Sequence, residues 1–578
     1  MRTGVFRIAV LVGMTAACAP SPAQAAGPGD YQALAQAVAA PWPGRQHSDG
    51  HFEEYVPGHD PRNKDDYGEA MLGYGLLQAG LRAGDRRMID AGLNGVTLDA
   101  GLPDSDPHIR MFRNMAIAGA YNLARDRLAG DEYFERLRPT WEKRLREVTV
   151  DRLRPGKKVT NKTLVEAVMV LELERSGLSP GARGTVLADL PGSVALVRRL
   201  VDRTLPVARS PSRRPDSVSP RLALLGDSPD FPLAYHALST AFLARVNELL
   251  GPRASARSRR LEQDAVAATW ALAGPDGDLA YTGRSQEQIW TLTLTAYAAE
   301  HARSTGPSQN VAPLGGLADR VLARAGRDYR GGPAAFGITP ALARSVRLGT
   351  RGVDSYASSV QYSGLGLVGL GWAEDVARPG LPVGALAADA PGGDVLGRGA
   401  ARFATVRAGD VWFAVRQAPG ADRDLRYDFG LVALKLQGTD GTWSDLMPIR
   451  PRSRIEGDTA GPVLRRVGTP TGTSISLDAD GVVVVRGGFR GPGGRLARRG
   501  VTFRYTPLGC GVRLTVSPTA RGDAYDHSTF LRPGEPLPPR RTGVERGYAS
   551  GFDPRLTRVR LRSAPRGGRP LSITTCGG

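Results

Sequence analysis

Apolar residues recur every three or four positions through most of residues 66–376. Leu164, Val168 and Leu171 form one such stripe. This spacing places the apolar side chains on one face of a helix, so it predicts a run of amphipathic helices. Further helices are predicted near residues 72–79, 108–128, 131–148, 192–204, 238–249, 256–273, 286–303, 315–328 and 355–376.

One predicted helix, from Gln286 to His301, is apolar on nearly all sides. A helix of this kind is buried on more than one face, which is typical of the inner layer of a two-layer helical barrel. In contrast, residues 205–220 are polar and rich in proline. We expect this segment to be a long loop, placed as a flap at the edge of a cleft.

Beyond residue 397 the apolar period changes to two, which predicts strands. The clearest strands are 411–416, 481–486, 501–505 and 512–516, separated by turns of the Asp-Gly type. Residues 377–397 are rich in proline, glycine and alanine and are predicted to be a linker. The expected organisation is a signal peptide (1–25), a helical domain (26–376), this linker, and an antiparallel β-sandwich domain (398–578).

The first 25 residues have the features of a secretory signal. Arg2 and Arg7 precede a short apolar run, and small residues stand before a cleavage point at Ala26. The apolar run is too short to cross a membrane. We therefore expect a soluble, exported protein without stable membrane insertion. The alternative is a lipoprotein attached through Cys18.

Cleavage after residue 25 would leave two cysteines, Cys510 and Cys576. In an oxidising compartment two cysteines most simply form one disulfide bond. The alternative is a pair of separate buried thiols. Because Cys576 is close to the end of the chain, a disulfide would tie the carboxyl-terminal segment to an earlier strand.

The chain is strongly basic, with 76 Lys and Arg against 57 Asp and Glu and a formal net charge of +19. A basic exported protein attracts polyanions, and arginine binds carboxylates through two parallel hydrogen bonds. The sequence contains no helix-turn-helix, zinc-finger or RNA-binding signature, so nucleic acid is not an expected partner. Its seven histidines form no metal-binding motif, and no metal is expected.

A tyrosine and a histidine, Tyr235 and His236, begin an apolar helical run after a polar loop. A phenol and an imidazole at a helix entrance can exchange protons with a bound substrate. Adjacent residues of a helix point about 100° apart, so one of the two would act while the other braces it. The alternatives are a core tyrosine with a satisfied hydroxyl and a buried structural histidine.

Other polar residues stand at predicted helix entrances, where they either line a cleft or pair locally. Asn161 is a capping residue or a donor to a substrate carboxylate. In the loop that leads into the helix at 286, Arg284 and Gln286 could meet a carboxylated sugar, and Tyr281 or Trp290 could stack on it. The remaining cleft candidates, which could equally form hydrogen bonds between helices, are His51, Asn63, Asp66, Tyr67, Arg113 and Asn114.

Segment 233–236 and the apolar helix after it resemble the Tyr-His segment that carries the catalytic tyrosine of alginate lyases. Asn161 is similar to the asparagine of their Asn-His pair, although Lys162 follows it here. The chain as a whole resembles the toroid-type polysaccharide lyases, the alginate-lyase-like and heparinase II/III-like enzymes. The resemblance implies an incomplete (α/α) toroid, followed by antiparallel β-sheets, that cleaves an acidic polysaccharide by β-elimination without a cofactor.

In the implied mechanism, Asn161 and a cation, either Arg284 or Lys162, neutralise the uronate carboxylate. Tyr235 or His236 removes the proton beside it, and Tyr235 protonates the leaving oxygen. Two other functions stay open, a non-catalytic protein that binds anionic polysaccharide and a glycoside hydrolase on the same scaffold. The hydrolase would need two carboxylates across the scissile bond. The candidates for that pair are Asp227, Asp230, Asp276, Asp278 and Glu287.

Overall fold

The structure is a computed structural model. It describes residues 26–55, 67–103, 110–154, 157, 159, 161–203, 205–227, 232–281, 283, 285, 287–331, 335–340, 343, 358–399, 401–418, 429–447, 462–491, 494–531, 534, 536–539, 541–545, 557–565 and 569–576. The predicted signal peptide and the predicted site residues Asn63, Asp66, Arg284 and Gln286 lie outside the described residues.

The amino-terminal part of the described chain is built mainly from twelve α-helices. These are α1 (Pro28–Ala39), α2 (Gly68–Ala83), α3 (Arg86–Gly101), α4 (Arg110–Arg127), α5 (Glu132–Arg146), α6 (Asn161–Ser176), α7 (Leu190–Arg203), α8 (Leu233–Leu250), α9 (Ala256–Leu272), α10 (Ile289–Thr305), α11 (Val311–Asp328) and α12 (Ser359–Val376). The apolar pattern predicted ten of them and missed α1 and α3. None of the described helices combines the length and the apolar character that a membrane crossing requires.

The helices form two layers. The even-numbered helices pack side by side in a ring, which α12 closes by packing against α2. Odd-numbered helices cover the ring from outside, for example α3 on α2 and α11 on α10. The predicted toroid is thus confirmed, and within the described residues its inner ring is closed, where the resemblance implied an incomplete one.

The outer helices return the chain between successive inner helices, so the inner helices run in the same direction. Their amino-terminal ends therefore lie together at one end of the ring, here called the mouth. Aromatic rings fill the interior between the mouth and the opposite end: Phe112 lies 6.5 Å from Phe242, which lies 5.6 Å from Trp372. The packed interior consequently gives the loops at the mouth a rigid support, which a catalytic or binding site requires.

Close helix packing depends on glycine. A Cβ atom on Gly75 would lie 2.5 Å from the Cβ of Leu367, and one on Gly92 would lie 2.7 Å from the carbonyl oxygen of Gly73. The first contact brings α12 against α2, and the second brings α3 against α2. Glycine lowers helix propensity, which explains why the glycine-rich α3 was not predicted from its sequence.

The expected loop at 205–220 is wrong in part, because this region begins a β-hairpin. Strand β1 (Val207–Pro211) pairs antiparallel with β2 (Arg221–Leu225). The four apolar residues of β2 are buried, and β2 packs against α9. Only the connection between the strands keeps the polar, proline-rich character that suggested a loop. The hairpin interrupts the otherwise helical part of the chain.

The carboxyl-terminal part of the described chain consists of antiparallel strands. These are β3 (Gly392–Arg398), β4 (Ala401–Ala408), β5 (Val411–Arg416), β6 (Gly430–Gln437), β7 (Trp443–Asp445), β8 (Val463–Leu464), β9 (Thr469–Leu477), β10 (Val483–Arg490), β11 (Leu496–Leu508), β12 (Gly511–Ser517), β13 (Tyr525–Leu531), β14 (Arg541–Glu545), β15 (Thr557–Ser563) and β16 (Leu571–Cys576). The first of these, β3, begins inside the predicted linker.

Two five-stranded sheets, in the orders β3-β4-β5-β6-β7 and β16-β12-β11-β10-β9, contact each other and bury their apolar faces. A four-stranded sheet, β14-β15-β13-β8, lies beside them. The predicted antiparallel β domain is therefore confirmed. Its alternating apolar positions, such as Val501, Phe503 and Tyr505, form the inner face of the second sheet.

Buried charges join the two parts of the chain. The ammonium group of Lys435 on β6 contacts three carboxylates, those of Asp276 (2.9 Å), Asp278 (3.0 Å) and Asp445 (3.1 Å). The guanidinium group of Arg324 on α11 contacts Asp276 (2.6 Å) and Glu287 (3.1 Å). Both cations are fully buried. We call these six residues the interdomain ion cluster; they are Asp276, Asp278, Glu287, Arg324, Lys435 and Asp445.

The predicted disulfide bond between Cys510 and Cys576 is present. It closes a loop of 66 residues and fastens the end of β16 beside the start of β12. Replacing both cysteines by serine should lower the free energy of unfolding by up to about 4 kcal/mol, because the unfolded chain regains the freedom of the open loop. Denaturant unfolding of the oxidised protein and of the double variant measures this difference. Equal stabilities would contradict it.

Lys435→Met should lower the free energy of unfolding by about 3–5 kcal/mol, because it leaves buried carboxylates without their cation. Lys143→Met is the matched control, since Lys143 is exposed on α5 and its loss should change stability by less than about 0.5 kcal/mol. Denaturant unfolding of both variants provides the test. A Lys435 variant as stable as the control would show that the cluster does not support the fold.

Candidate active site

Three neighbouring inner helices present aromatic side chains at the mouth. Tyr235, in the first turn of α8, packs edge-on against Trp290 of α10, with ring centres 6.0 Å apart. Trp290 in turn packs edge-on against Tyr362 of α12, at 5.9 Å. Tyr235 is half-buried, whereas Trp290 and Tyr362 are buried. Tyr235 is thus the most accessible member of this aromatic row.

The hydroxyl of Tyr235 is in contact with the loop that leads into α10. The Ser285 hydroxyl donates to it at 3.4 Å. Ser285 and Glu287 both have left-handed backbone conformations, with φ of 57° and 59°. Such conformations cost free energy in residues other than glycine and persist where surrounding contacts hold them. Here the Tyr329 hydroxyl donates to the Glu287 carbonyl oxygen at 3.0 Å, and Arg324 pairs with the Glu287 carboxylate.

His236 does not face the mouth, which corrects the expectation that it acts on substrate. Its Nδ1 accepts a hydrogen bond from the Leu225 backbone N–H at 3.0 Å, and its Nε2 lies 3.1 Å from the Thr269 hydroxyl. The side chain is buried, and burial lowers the pKa of His236 to about 4. His236 therefore joins β2, α8 and α9 as a neutral structural residue.

Asn161 begins α6 and lies next to the segment that precedes α8. Its backbone N–H faces Asp227 at 3.4 Å, and its side-chain oxygen accepts from the Lys162 backbone N–H at 2.7 Å. That hydrogen bond leaves the side-chain NH₂ group as the donor available for another partner. Asn161 is buried, whereas Lys162 is half-buried. The contact with Asp227 brings the entrances of α6 and α8 together.

Two other predicted groups are buried in local contacts. The Tyr281 hydroxyl donates to the Leu272 carbonyl oxygen at 3.0 Å, and its ring packs edge-on against Trp412 of β5. Tyr281 is therefore part of the contact between the helical and β domains, and it cannot stack on a sugar. Asn114 accepts a hydrogen bond from Arg144 at 3.1 Å, which joins α4 to α5.

Arg113 is also buried, and it donates to the Pro103 carbonyl oxygen at 3.2 Å. This bond ties the first turn of α4 to a residue that lies two positions after the end of α3. Arg113 and Asn114 therefore have structural partners. The expectation that they line an exposed cleft is wrong, because both are buried.

His51 and Glu69 form a pair at the entrance of α2. His51 Nδ1 lies 3.2 Å from a Glu69 oxygen, and the histidine side chain is 25% exposed. The hydrogen bond to Glu69 raises the pKa of His51 above its usual value. The sequence marked His51 as one of several cleft candidates but gave no signal for Glu69, the second residue of α2.

The acidic residues proposed for a hydrolase are largely engaged elsewhere. Asp276, Asp278 and Glu287 belong to the interdomain ion cluster, where Lys435 and Arg324 hold the pKa of Asp276 below its usual value. Burial, with Asp278 nearby, raises the pKa of Glu287. Asp278 and Glu287 are buried, and the Asp276 side chain is 10% exposed. They are therefore parts of the domain contact, and Asp230 lies outside the described residues.

The opposite end of the ring contains a cavity of about 510 Å³. Charged side chains on its wall pair with one another or with their neighbours: Arg245 contacts Glu248 and Glu172, and Arg82 contacts Asp375. A further pair on the wall joins Arg175 to Asp126, whereas Arg127 is exposed and has no ion pair within the described residues. Among the described residues, no group of histidine, cysteine, aspartate or glutamate side chains could hold a metal ion.

Known proteins resemble the chain only in part. No protein-family model and no curated protein matches it. Among solved structures, an α-1,6-mannanase from Salegentibacter sp. HEL1_6 is 12% identical, with a TM-score of 0.38, over 60% of this chain and 99% of that one. The cellobiose 2-epimerase from Spirochaeta thermophila is 14% identical, with a TM-score of 0.40, over 60% of this chain and 96% of that one. A polysaccharide lyase is 11% identical, with a TM-score of 0.37, over 60% of this chain and 97% of that one. Likenesses this distant assign no activity.

The role of His236 predicts a pH effect on stability. In the unfolded chain His236 is protonated below about pH 6.5, whereas in the folded protein it is protonated only below about pH 4. The folded state is therefore destabilised as the pH falls between these values. A pKa lowered from 6.5 to about 4 corresponds to about 3 kcal/mol once the pH is below 4. His236→Asn, which keeps an acceptor for Leu225, should lose less stability than the wild type between pH 7 and pH 4.

Denaturant unfolding of both proteins at the two pH values measures this difference. His527, whose pKa burial also lowers to about 4, is present in both proteins, so its contribution cancels. Parallel pH profiles would show that His236 is not a buried neutral histidine.

Proposed function

We propose that the chain is a lyase that cleaves a uronate-containing polysaccharide by β-elimination at the mouth. The observation that carries the proposal is the position of Tyr235, a half-buried phenol at the helix entrance, beside Ser285 and an aromatic wall. A phenol can both accept and donate a proton, which elimination requires. Three of the five acids that hydrolysis could use, Asp276, Asp278 and Glu287, are held in the interdomain ion cluster.

The first requirement of the reaction is a neutralised carboxylate, because the proton on the adjacent carbon is otherwise too weakly acidic. In the proposal, the side-chain NH₂ of Asn161 donates to that carboxylate, and Arg284 or Lys162 supplies a positive charge. The hydrogen bond from the Lys162 N–H to the Asn161 oxygen supports this orientation of the amide. The contact of Asn161 with Asp227 supports its closeness to the entrance of α8.

The second requirement is a proton carrier. The phenolate of Tyr235 takes the proton from the carbon next to the carboxylate, and the released electron pair forms a carbon–carbon double bond as the glycosidic C–O bond breaks. Tyr235 then returns the proton to the leaving oxygen, so the phenolate is regenerated and no cofactor is consumed. The Ser285 hydroxyl, which donates to the Tyr235 oxygen, stabilises the phenolate form.

His51 extends the proposed site. The α2 entrance lies across the ring from the α8 entrance, because α4 and α6 separate the two helices on one side and α10 and α12 on the other. A polymer that spans the mouth would therefore reach both Tyr235 and His51. Since Glu69 raises the pKa of His51, the imidazole carries its positive charge to a higher pH than usual. It is suited to contact a uronate carboxylate.

Tyr235→Phe should lower turnover by about 10²–10⁴-fold with little change in polymer affinity, because only the proton carrier is lost. Asn161→Ala should lower turnover by about 10²–10³-fold, as expected for one donor to an oxyanion. The measurement is the ultraviolet absorbance of the unsaturated uronide during digestion of alginate, polygalacturonate and glucuronan. Tyr281→Phe removes a phenol that is buried at the domain contact and serves as the matched control, with turnover retained.

Two outcomes would contradict the proposal. New reducing ends without ultraviolet absorbance would indicate hydrolysis. Full activity of the Tyr235→Phe enzyme would exclude this phenol as the proton carrier, whichever bond is cleaved.

A further inference from the structure

The second five-stranded sheet has an unusual charge distribution. Its strands, β9 to β12 and β16, contain six arginines and neither aspartate nor glutamate. One of these arginines, Arg498, pairs with Asp523 at the edge of the sheet. The other five are exposed. We call them the arginine face; they are Arg486, Arg490, Arg499, Arg504 and Arg513.

The strand register places these arginines on the outward side of the sheet. Buried residues such as Val485 and Phe503 alternate with them and point to the sandwich core. Arg486 lies opposite Thr502, two residues before Arg504, and Arg513 lies opposite Thr506, two residues after it. The three therefore form a diagonal row across adjacent strands, with steps of about 8 Å between Cα atoms.

The arginine face has almost no counter-charge. Within the described residues, its one ion pair is between Arg504 and Asp478, at 3.7 Å. The guanidinium groups of Arg486, Arg490, Arg499 and Arg513 have no carboxylate partner in the described part of the chain. Like charges held this close repel one another, so the face gains electrostatically from a bound polyanion.

Hydroxyl side chains surround the arginines. Ser474 lies opposite Arg486 on β9, and Thr574 lies opposite Arg513 on β16. Both are exposed. Short hydroxyl groups keep the surface flat, leave the guanidinium groups accessible and can exchange hydrogen bonds with sugar hydroxyls. The face therefore combines donors for carboxylates with donors and acceptors for the rest of a sugar ring.

The same composition argues against other polyanions. The aromatic residues of this sheet, such as Phe489 and Tyr505, are buried on its inner side, so the outward side of the described strands offers no ring on which a base could stack. The apolar side chains at outward positions, Val484, Leu496 and Leu508, are all half-buried, which leaves too little exposed apolar surface for insertion into a lipid surface.

We infer that the arginine face binds a linear carboxylated polysaccharide, at a site separate from the mouth. The choice of a carboxylated polymer rests on the proposed function, whereas the existence of a polyanion-binding face does not. Binding there would hold the polymer on the enzyme between cleavage events and raise its concentration near the mouth. The guanidinium groups supply the charge-assisted hydrogen bonds to carboxylates, and the serine and threonine hydroxyls contact the sugar rings.

The test uses the full chain with Tyr235→Phe, so that bound polymer is not degraded, and immobilised polygalacturonate as the probe. Arg486→Gln, Arg504→Gln and Arg513→Gln are combined in one variant. The control combines Arg87→Gln, Arg198→Gln and Arg199→Gln, which removes the same charge from exposed helix positions that have no ion pair within the described residues. The face variant should raise Kd about tenfold or more, with a shallower salt dependence, whereas the control should change it little.

A second measurement separates this inference from the proposed function. With Tyr235 intact, the face variant should cleave a short oligouronide at the wild-type rate and lose activity only on long polymer. If Tyr235→Phe remained active but the face variant lost binding, the mechanism would fail and the arginine face would stand. If Tyr235→Phe were inactive but the face variant bound polymer normally, the inference about the arginine face would fail and the mechanism would stand.

Three results would overturn the inference. Equal loss of binding in the face and control variants would reduce the effect to net charge. Unchanged binding in the face variant would place the polymer elsewhere. Tighter, face-dependent binding to duplex DNA or to phosphatidylserine vesicles than to polygalacturonate would assign the face to a different polyanion.

Discussion

One buried cation, Lys435, joins the two halves of this chain, and a second, Arg324, holds the same Asp276 carboxylate from the helical side. A buried charge without a partner costs several kilocalories per mole, so each must keep its carboxylates in contact. The carboxylates come from the loop between α9 and α10 and from β7, while the cations come from α11 and β6. Acids outnumber cations in the cluster, and burial raises the pKa of Asp445 to about 6. The β domain is thus bound to one loop of the toroid by charge as well as by apolar packing.

This connection reaches the proposed site through the backbone. The loop that supplies Asp276 and Asp278 continues to Ser285 and Glu287, where two left-handed residues cost about 1–3 kcal/mol each. The pairing of Arg324 with Glu287 contributes to holding that conformation, and Ser285 then meets the Tyr235 hydroxyl. The geometry beside Tyr235 therefore depends on residues in the β domain. An isolated toroid would lose part of the support for this loop.

Most of the fold could be predicted because helix and strand periods differ so clearly in this chain. The exceptions have local causes. The glycines of α3 lower its helix propensity, so this helix was not predicted; they are present because they allow close packing on α2. The prolines between β1 and β2 suggested a loop, so the hairpin was not predicted. Its pairing depends on the long-range contact of β2 with α9. The site was harder to predict than the fold. The sequence allows His236 to react with substrate beside Tyr235, but in the structure Leu225 and Thr269 occupy both of its ring nitrogens.

Charge shows the same limit of sequence reasoning. The net charge of +19 suggests a polyanionic partner but cannot say where it binds. The structure locates the excess because buried and exposed charges obey different rules. Inside the protein, Arg324 and Lys435 must be matched by acids, so they add no attraction for an external polymer. On the surface, solvent stabilises a charge without a partner, so unmatched arginines can collect, as they do on the strands that include Arg486 and Arg513. Unmatched exposed charge, read against strand register, is therefore a better guide to a partner than total charge.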